Sequence, residues 1–86
     1  MSAVMYRLSP RWKEELVCSC EAGSFVLEFA MGIPTVYLPT RERWYKVAPP
    51  WAVTHWDGLH AQLIDWCKFN NAQFEVSEHA PCYGHA

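Results

Sequence analysis

Leu16-Val17-Cys18-Ser19-Cys20-Glu21-Ala22-Gly23-Ser24-Phe25-Val26-Leu27-Glu28-Phe29-Ala30 is the stretch whose reading decides the fold. Leu16, Cys18 and Cys20 alternate with Val17 and Ser19, and Phe25, Leu27 and Phe29 alternate with Val26, Glu28 and Ala30. A period of two places alternate side chains on opposite faces of a strand. Glu21-Ala22-Gly23-Ser24 between the runs is a turn signal, with glycine free to take positive φ. The stretch therefore predicts a β-hairpin with one strongly apolar face.

C-terminal to the hairpin, Met31-Gly32 marks a second turn, and Ile33 to Leu38 reads as a third strand rich in β-branched residues. Pro34 near its start and Pro39 at its end point to an edge position, because proline cannot donate to a central ladder. Thr40 is placed to cap a short helix over Arg41 to Val47, ended by Pro49-Pro50. The clearest helix runs from Trp51 or Thr54 to Asn70. Trp56, Leu59, His60, Leu63 and Cys67 share one stripe by helical spacing, flanked by Ile64 and Trp66. Asn70-Asn71 suits a helix stop, since asparagine tolerates the left-handed conformation. Gln73 to Ser77 reads as a last strand with Phe74 and Val76 on one face, and the tail from Glu78 as loosely ordered chain. On the N-terminal side, Ser9-Pro10 reads as a helix start, with Arg11 to Glu15 forming a short turn. The expected fold is a single α+β domain over 1–86. It has a small, mostly antiparallel sheet (β-β-β-α-β), with one main helix packed on one face. The other face is expected to be partly wet and to show Glu28, Thr35 and Tyr37.

Composition bounds function more than it names it. An 86-residue chain buries only about 60–65% of its unfolded surface. Such small domains lean on disulfides, metals, partners or heavy core residues. Here 15% of residues are aromatic, five of them tryptophan, and each large ring can bury roughly 150–250 Å². A formal charge of −2 argues against nucleic acid or an anionic membrane as partner. Met1 to Trp12 lacks a basic start followed by an apolar run, and no apolar stretch reaches the roughly 18 residues that span a bilayer. The expectation is a cytoplasmic protein with Cys18, Cys20, Cys67 and Cys82 as free thiols.

The densest functional signal is Trp44-Tyr45-Lys46-Val47-Ala48-Pro49-Pro50-Trp51, continuing to His55-Trp56. Tryptophan and tyrosine are favoured at interface hot spots, and Pro-Pro holds them without much entropy loss on binding. Trp44, Tyr45, Trp51, His55 and Trp56 are thus the candidate partner-binding residues, against a reading in which the rings only complete the core. Arg41, Arg43 and Lys46 interleave with the aromatics as in single-strand nucleic-acid binders. They are few, however, and Glu42 lies among them, so a solvated helix face is the simpler reading. Cys18, Cys20, His79, Cys82 and His85 carry metal-ligand chemistry at a spacing that matches no strong zinc pattern. No metal or other cofactor is assigned. Nucleophile–base pairings such as Cys67 with His60 lie two helical turns apart. No phosphate-cradling glycine loop and no G-x-S-x-G occur.

In size, acidity and tryptophan density the chain is similar to bacterial immunity proteins and other small inhibitors. That resemblance implies a cytoplasmic antitoxin-like protein that covers the site of a toxin or enzyme. The sequence-based expectation is accordingly a noncatalytic protein-interaction module, with Glu42, Asp57 and Glu78 steering a basic partner. A small zinc module and a homodimer joined through the wet sheet face or the edge strand after Pro34 are the alternatives.

Overall fold

The hairpin forms as read and becomes the centre of a larger sheet. The computed structural model describes residues 5–11 and 14–84. Its elements, in order, are β1 (Arg7–Arg11), β2 (Glu15–Cys20), β3 (Gly23–Ala30), β4 (Thr35–Pro39), α1 (Arg41–Val47), a 3-10 helix (Pro50–His55), α2 (Trp56–Phe69), β5 (Gln73–Ser77) and β6 (Cys82–Tyr83). The strands lie in the order β1-β2-β3-β4-β5, and β6 also pairs with β3. All ladders are antiparallel except β4 with β5, which is parallel because the helices carry the chain back across the sheet. The result is an α+β fold with a mixed sheet and one main helical segment.

Register fixes which face is apolar. Leu16 faces Leu27, Cys18 faces Phe25, and Phe29 faces Val36. These side chains share one side of the sheet and are buried there with Leu38, Trp44, Ala52, Leu59, Leu63 and Cys67, so both helices and the 3-10 segment cover that face. On α2 the predicted stripe holds. Leu59, Leu63 and Cys67 are sealed, while Trp56 and His60 sit half-buried at its border. Thr40 caps α1 as expected, its Oγ1 accepting from Arg43 N at 3.2 Å. Asn71 takes φ 55° past the end of α2.

Four local expectations are corrected by long-range pairing. Ser9-Pro10 starts no helix. Both residues belong to β1, where Pro10 pairs with Leu16 at the sheet's edge, a position at which a missing N–H costs nothing. β4 is not an edge strand, since it lies between β3 and β5. Pro34 precedes the strand and offers only its carbonyl, to Gln73 N at 2.7 Å, and Pro39 is its last residue. Thr35 is buried rather than shown to solvent, its Oγ1 donating to Ile33 O at 2.8 Å. The tail after Glu78 is not loose over Ala80–Tyr83. Ala80 and Cys82 are buried, Cys82 pairs with Leu27, and the Arg43 guanidinium Nε donates to Ala80 O at 2.6 Å. Among the described residues no helix is long and apolar enough to cross a membrane.

Candidate functional site

The aromatic segment divides into core and surface. Trp44 is completely buried, and its indole N–H donates to Ala52 O at 3.0 Å. Its ring meets Phe25 edge-on at 5.3 Å. Burial removes Trp44 from any direct contact with a partner, correcting its place among the anchors. Trp51 is half-buried. It packs on Phe25 and His55 and lies so close over Gly23 that a Cβ there would fall 2.9 Å from its Cζ2. Half-buried His55 is bound from inside: its Nδ1 lies 2.7 Å from Tyr6 Oη. Tyr45 is the one candidate of the five that is broadly exposed, at 61%.

Trp56 lies between these extremes. Its indole donates to Pro39 O at 2.9 Å. One side of its ring stacks on His60, with centroids 4.8 Å apart, and the Arg41 guanidinium lies 4.6 Å from the ring centroid. Arg41 also makes a two-pronged bond to the Asp57 carboxylate, at 2.5 and 3.3 Å. That bond holds Asp57 below the usual carboxylate range and raises Arg41. His60 meets Phe74 edge-on at 5.3 Å. The α2 border facing β5 is therefore a layered rim of Arg41, Trp56, His60 and Phe74. Of the three basic residues weighed as a nucleic-acid grip and read as a solvated helix face, two are engaged within the protein, since Arg41 holds Asp57 and Arg43 holds the tail. Asp57, expected to steer a partner, is half of that ion pair.

The largest exposed apolar groups lie on the opposite border. Met5, Tyr6 and Leu8 on the β1 side face Gln62, Asp65, Trp66 and Phe69 of α2 across a groove of about 420 Å³. Phe69 is 88% exposed and Met5 72%. Trp66, half-buried, also lines it and is held edge-on against Phe29 at 5.9 Å. Neither Phe69 nor Met5 belongs to the aromatic segment that marks the candidate residues in the sequence. The available signal was that Gln62, Trp66 and Phe69 recur at i, i+4 and i+7, a second stripe beside the core stripe.

Three of the four thiols are buried, and Cys20 is half-buried. Cys18 and Cys82 are buried. Burial pushes the Cys82 thiol up to about 12 and raises Cys18, on which the neighbouring Cys82 also acts. Cys67, raised by the same desolvation, lies 3.5 Å from Gln73 O. All four cysteines are unpaired. Among the described residues no three His, Cys, Asp or Glu side chains converge on one point as a metal centre requires. His85, named in the zinc alternative, lies outside the described residues.

No protein-family model, no curated protein and no solved structure matches this chain.

Proposed function

We propose that this chain is a noncatalytic protein-interaction module that docks a partner protein on its β1–α2 groove. The observation that carries the reading is the pair Phe69 and Met5, 88% and 72% exposed, which line one open groove together with Trp66. Large apolar groups gathered into a contiguous patch mark contact surfaces far more often than scattered ones do. An aromatic residue at the rim of a pocket is the usual form of a hot spot. Tyr45, on α1, is a secondary contact. The chemistry of the remaining groups supports a noncatalytic role: the buried thiols stay protonated at neutral pH, and His55 and His60 are engaged with Tyr6 and Trp56. In its specific form the module is an inhibitor of the immunity type, which acts by covering the partner's working surface.

The test places a photo-reactive phenylalanine analogue at position 69, cross-links in the source cell and identifies the captured protein. The affinity of that purified protein is then measured for the wild type, Phe69→Ser and Tyr45→Ser. Phe69→Ser should weaken binding by about 30-fold, near 2 kcal/mol. Its urea midpoint should stay unchanged, because the ring is almost fully exposed. Unchanged affinity in Phe69→Ser would remove the basis for this reading.

A further inference from the structure

β1 and β5 are the two outer strands of the main sheet, and they are finished very differently. The β1 side is blunted. Gln62 accepts from Tyr6 N at 2.9 Å and donates to Tyr6 O at 2.5 Å, making with one carboxamide the two bonds a neighbouring strand would make. Pro10, two pairs further along the ladder than Leu8, has no N–H to offer, and Arg7 and Arg11 flank the strand. Proline and cationic residues are standard guards against edge pairing.

β5 carries no such guard. Its sequence, Gln73-Phe74-Glu75-Val76-Ser77, has neither proline nor a cation. Gln73 N donates to Pro34 O at 2.7 Å, and Ser77 O accepts from Thr40 N at 3.2 Å. In a parallel ladder alternate residues bond the same neighbour, so Gln73, Glu75 and Ser77 face β4, and the N–H and C=O of Phe74 and Val76 face outward. Their side chains lie on the helix-covered side, opposite Val36 and Leu38. Phe74 packs against His60, and Val76 is 42% exposed. Glu75 lies on the open side, opposite Tyr37, which is in turn opposite Glu28. Among the described residues Glu75 has no ion pair.

We propose that the free edge of β5 binds an extended segment of another protein as an additional antiparallel strand, apolar beside Phe74 and Val76 and basic opposite Glu75. The edge supplies main-chain donors and acceptors, and alternate side chains supply specificity. A basic residue opposite Glu75 forms the cross-strand ion pair that the edge lacks. A second copy fits poorly. Symmetric antiparallel pairing that uses both outward residues sets Glu75 directly opposite its own copy, and like charges there repel. This surface lies across the sheet from the β1–α2 groove and does not depend on it.

The test is an amide NMR titration with two synthetic peptides, Thr-Ser-Val-Lys-Val-Ser-Thr and the same peptide with Glu in place of Lys. The lysine peptide should shift amides around Phe74–Val76, and the glutamate peptide should bind about ten-fold more weakly. Glu75→Lys, at an exposed position, should reverse that preference. Val76→Pro should abolish binding of either peptide while the sheet stays intact, because the Val76 N–H bonds nothing in β4. Phe69→Ser should leave the titration unchanged. Equal binding of the two peptides, unaltered preference in Glu75→Lys, or full binding by a folded Val76→Pro would overturn the proposal. So would a wild-type dimer in sedimentation that Val76→Pro dissociates, since a second copy would then own the edge.

Discussion

Trp44 and Tyr45 are neighbours in sequence and opposites in environment, because successive residues of a helix point about 100° apart. α1 is short, so a single buried ring secures it: Trp44 fills the space between Phe25 and the 3-10 segment and bonds Ala52 O. Trp44→Ala should cost roughly 3–5 kcal/mol, close to the whole stability of about 5 kcal/mol expected of so small a domain. The variant should be largely unfolded by circular dichroism at 25 °C. Tyr45→Ala should move the urea midpoint by less than about 0.5 kcal/mol equivalent. Gly23 makes a second claim at this scale. Its φ of +152° suits glycine, and the Trp51 ring occupies the place of a Cβ. Gly23→Ala should therefore destabilise by about 1–3 kcal/mol, with Trp51 displaced. Unchanged denaturation together with unchanged tryptophan fluorescence would show that the close approach does not constrain the residue.

Among elements, α2 does more than cover the sheet, since it also closes one border of it. Gln62 closes the β1 edge at Tyr6. Gln62→Ala should cost about 1–2 kcal/mol, because it leaves two main-chain groups in a part-buried place without their bonds. Hydrogen exchange at the Tyr6 amide should quicken while exchange in β3 keeps pace with global stability alone. Equal protection at Tyr6 in both proteins would mean that the edge is closed by something else. The elements that were legible in the sequence are those whose signal is local. The β2–β3 hairpin announces itself by period two, α1 by Thr40 and the double proline, and α2 by the Leu59–Leu63–Cys67 stripe. β1, the interior place of β4 and the packed tail were not legible, because each is decided by a distant partner. Ser9-Pro10 has a helix-start pattern until Leu16 and Val17 pair with it, Pro34 reads as an edge marker until Gln73 bonds its carbonyl, and Cys82-Tyr83 is too short to show a period. The candidate surface followed the same division. Tyr45 was found from residue type, whereas Phe69 and Met5 become neighbours only when α2 lies along β1.

At the scale of the whole molecule, the interior is one in which polar handles are bonded and titratable groups are kept neutral. No buried side-chain nitrogen or oxygen among the described residues lacks a partner. Cys82 is pushed from an ordinary 9.0 up to about 12, Cys18 and Cys67 are raised, and Tyr6 is raised chiefly by burial and further by nearby thiols. Each of these groups is neutral when protonated, and folding favours that form. Their contribution is fully present below the unfolded values, 9.0 for the thiols and 10.0 for tyrosine, and it is lost as pH rises toward the folded ones. In that window the two well-buried thiols, Cys18 and Cys82, each lower stability by about 1.4 kcal/mol per pH unit. Together they would exhaust a margin of about 5 kcal/mol near pH ~11. Under reducing conditions the urea midpoint should hold steady from pH 7 to about 8.5 and then fall steeply. Cys82→Ala should flatten that fall by about one proton, or about 1.4 kcal/mol per unit, whatever it does to stability at pH 7. A midpoint that stays level to pH 11, or a slope that Cys82→Ala leaves untouched, would mean that solvent reaches these thiols in the native state and that the interior is looser than its packing implies.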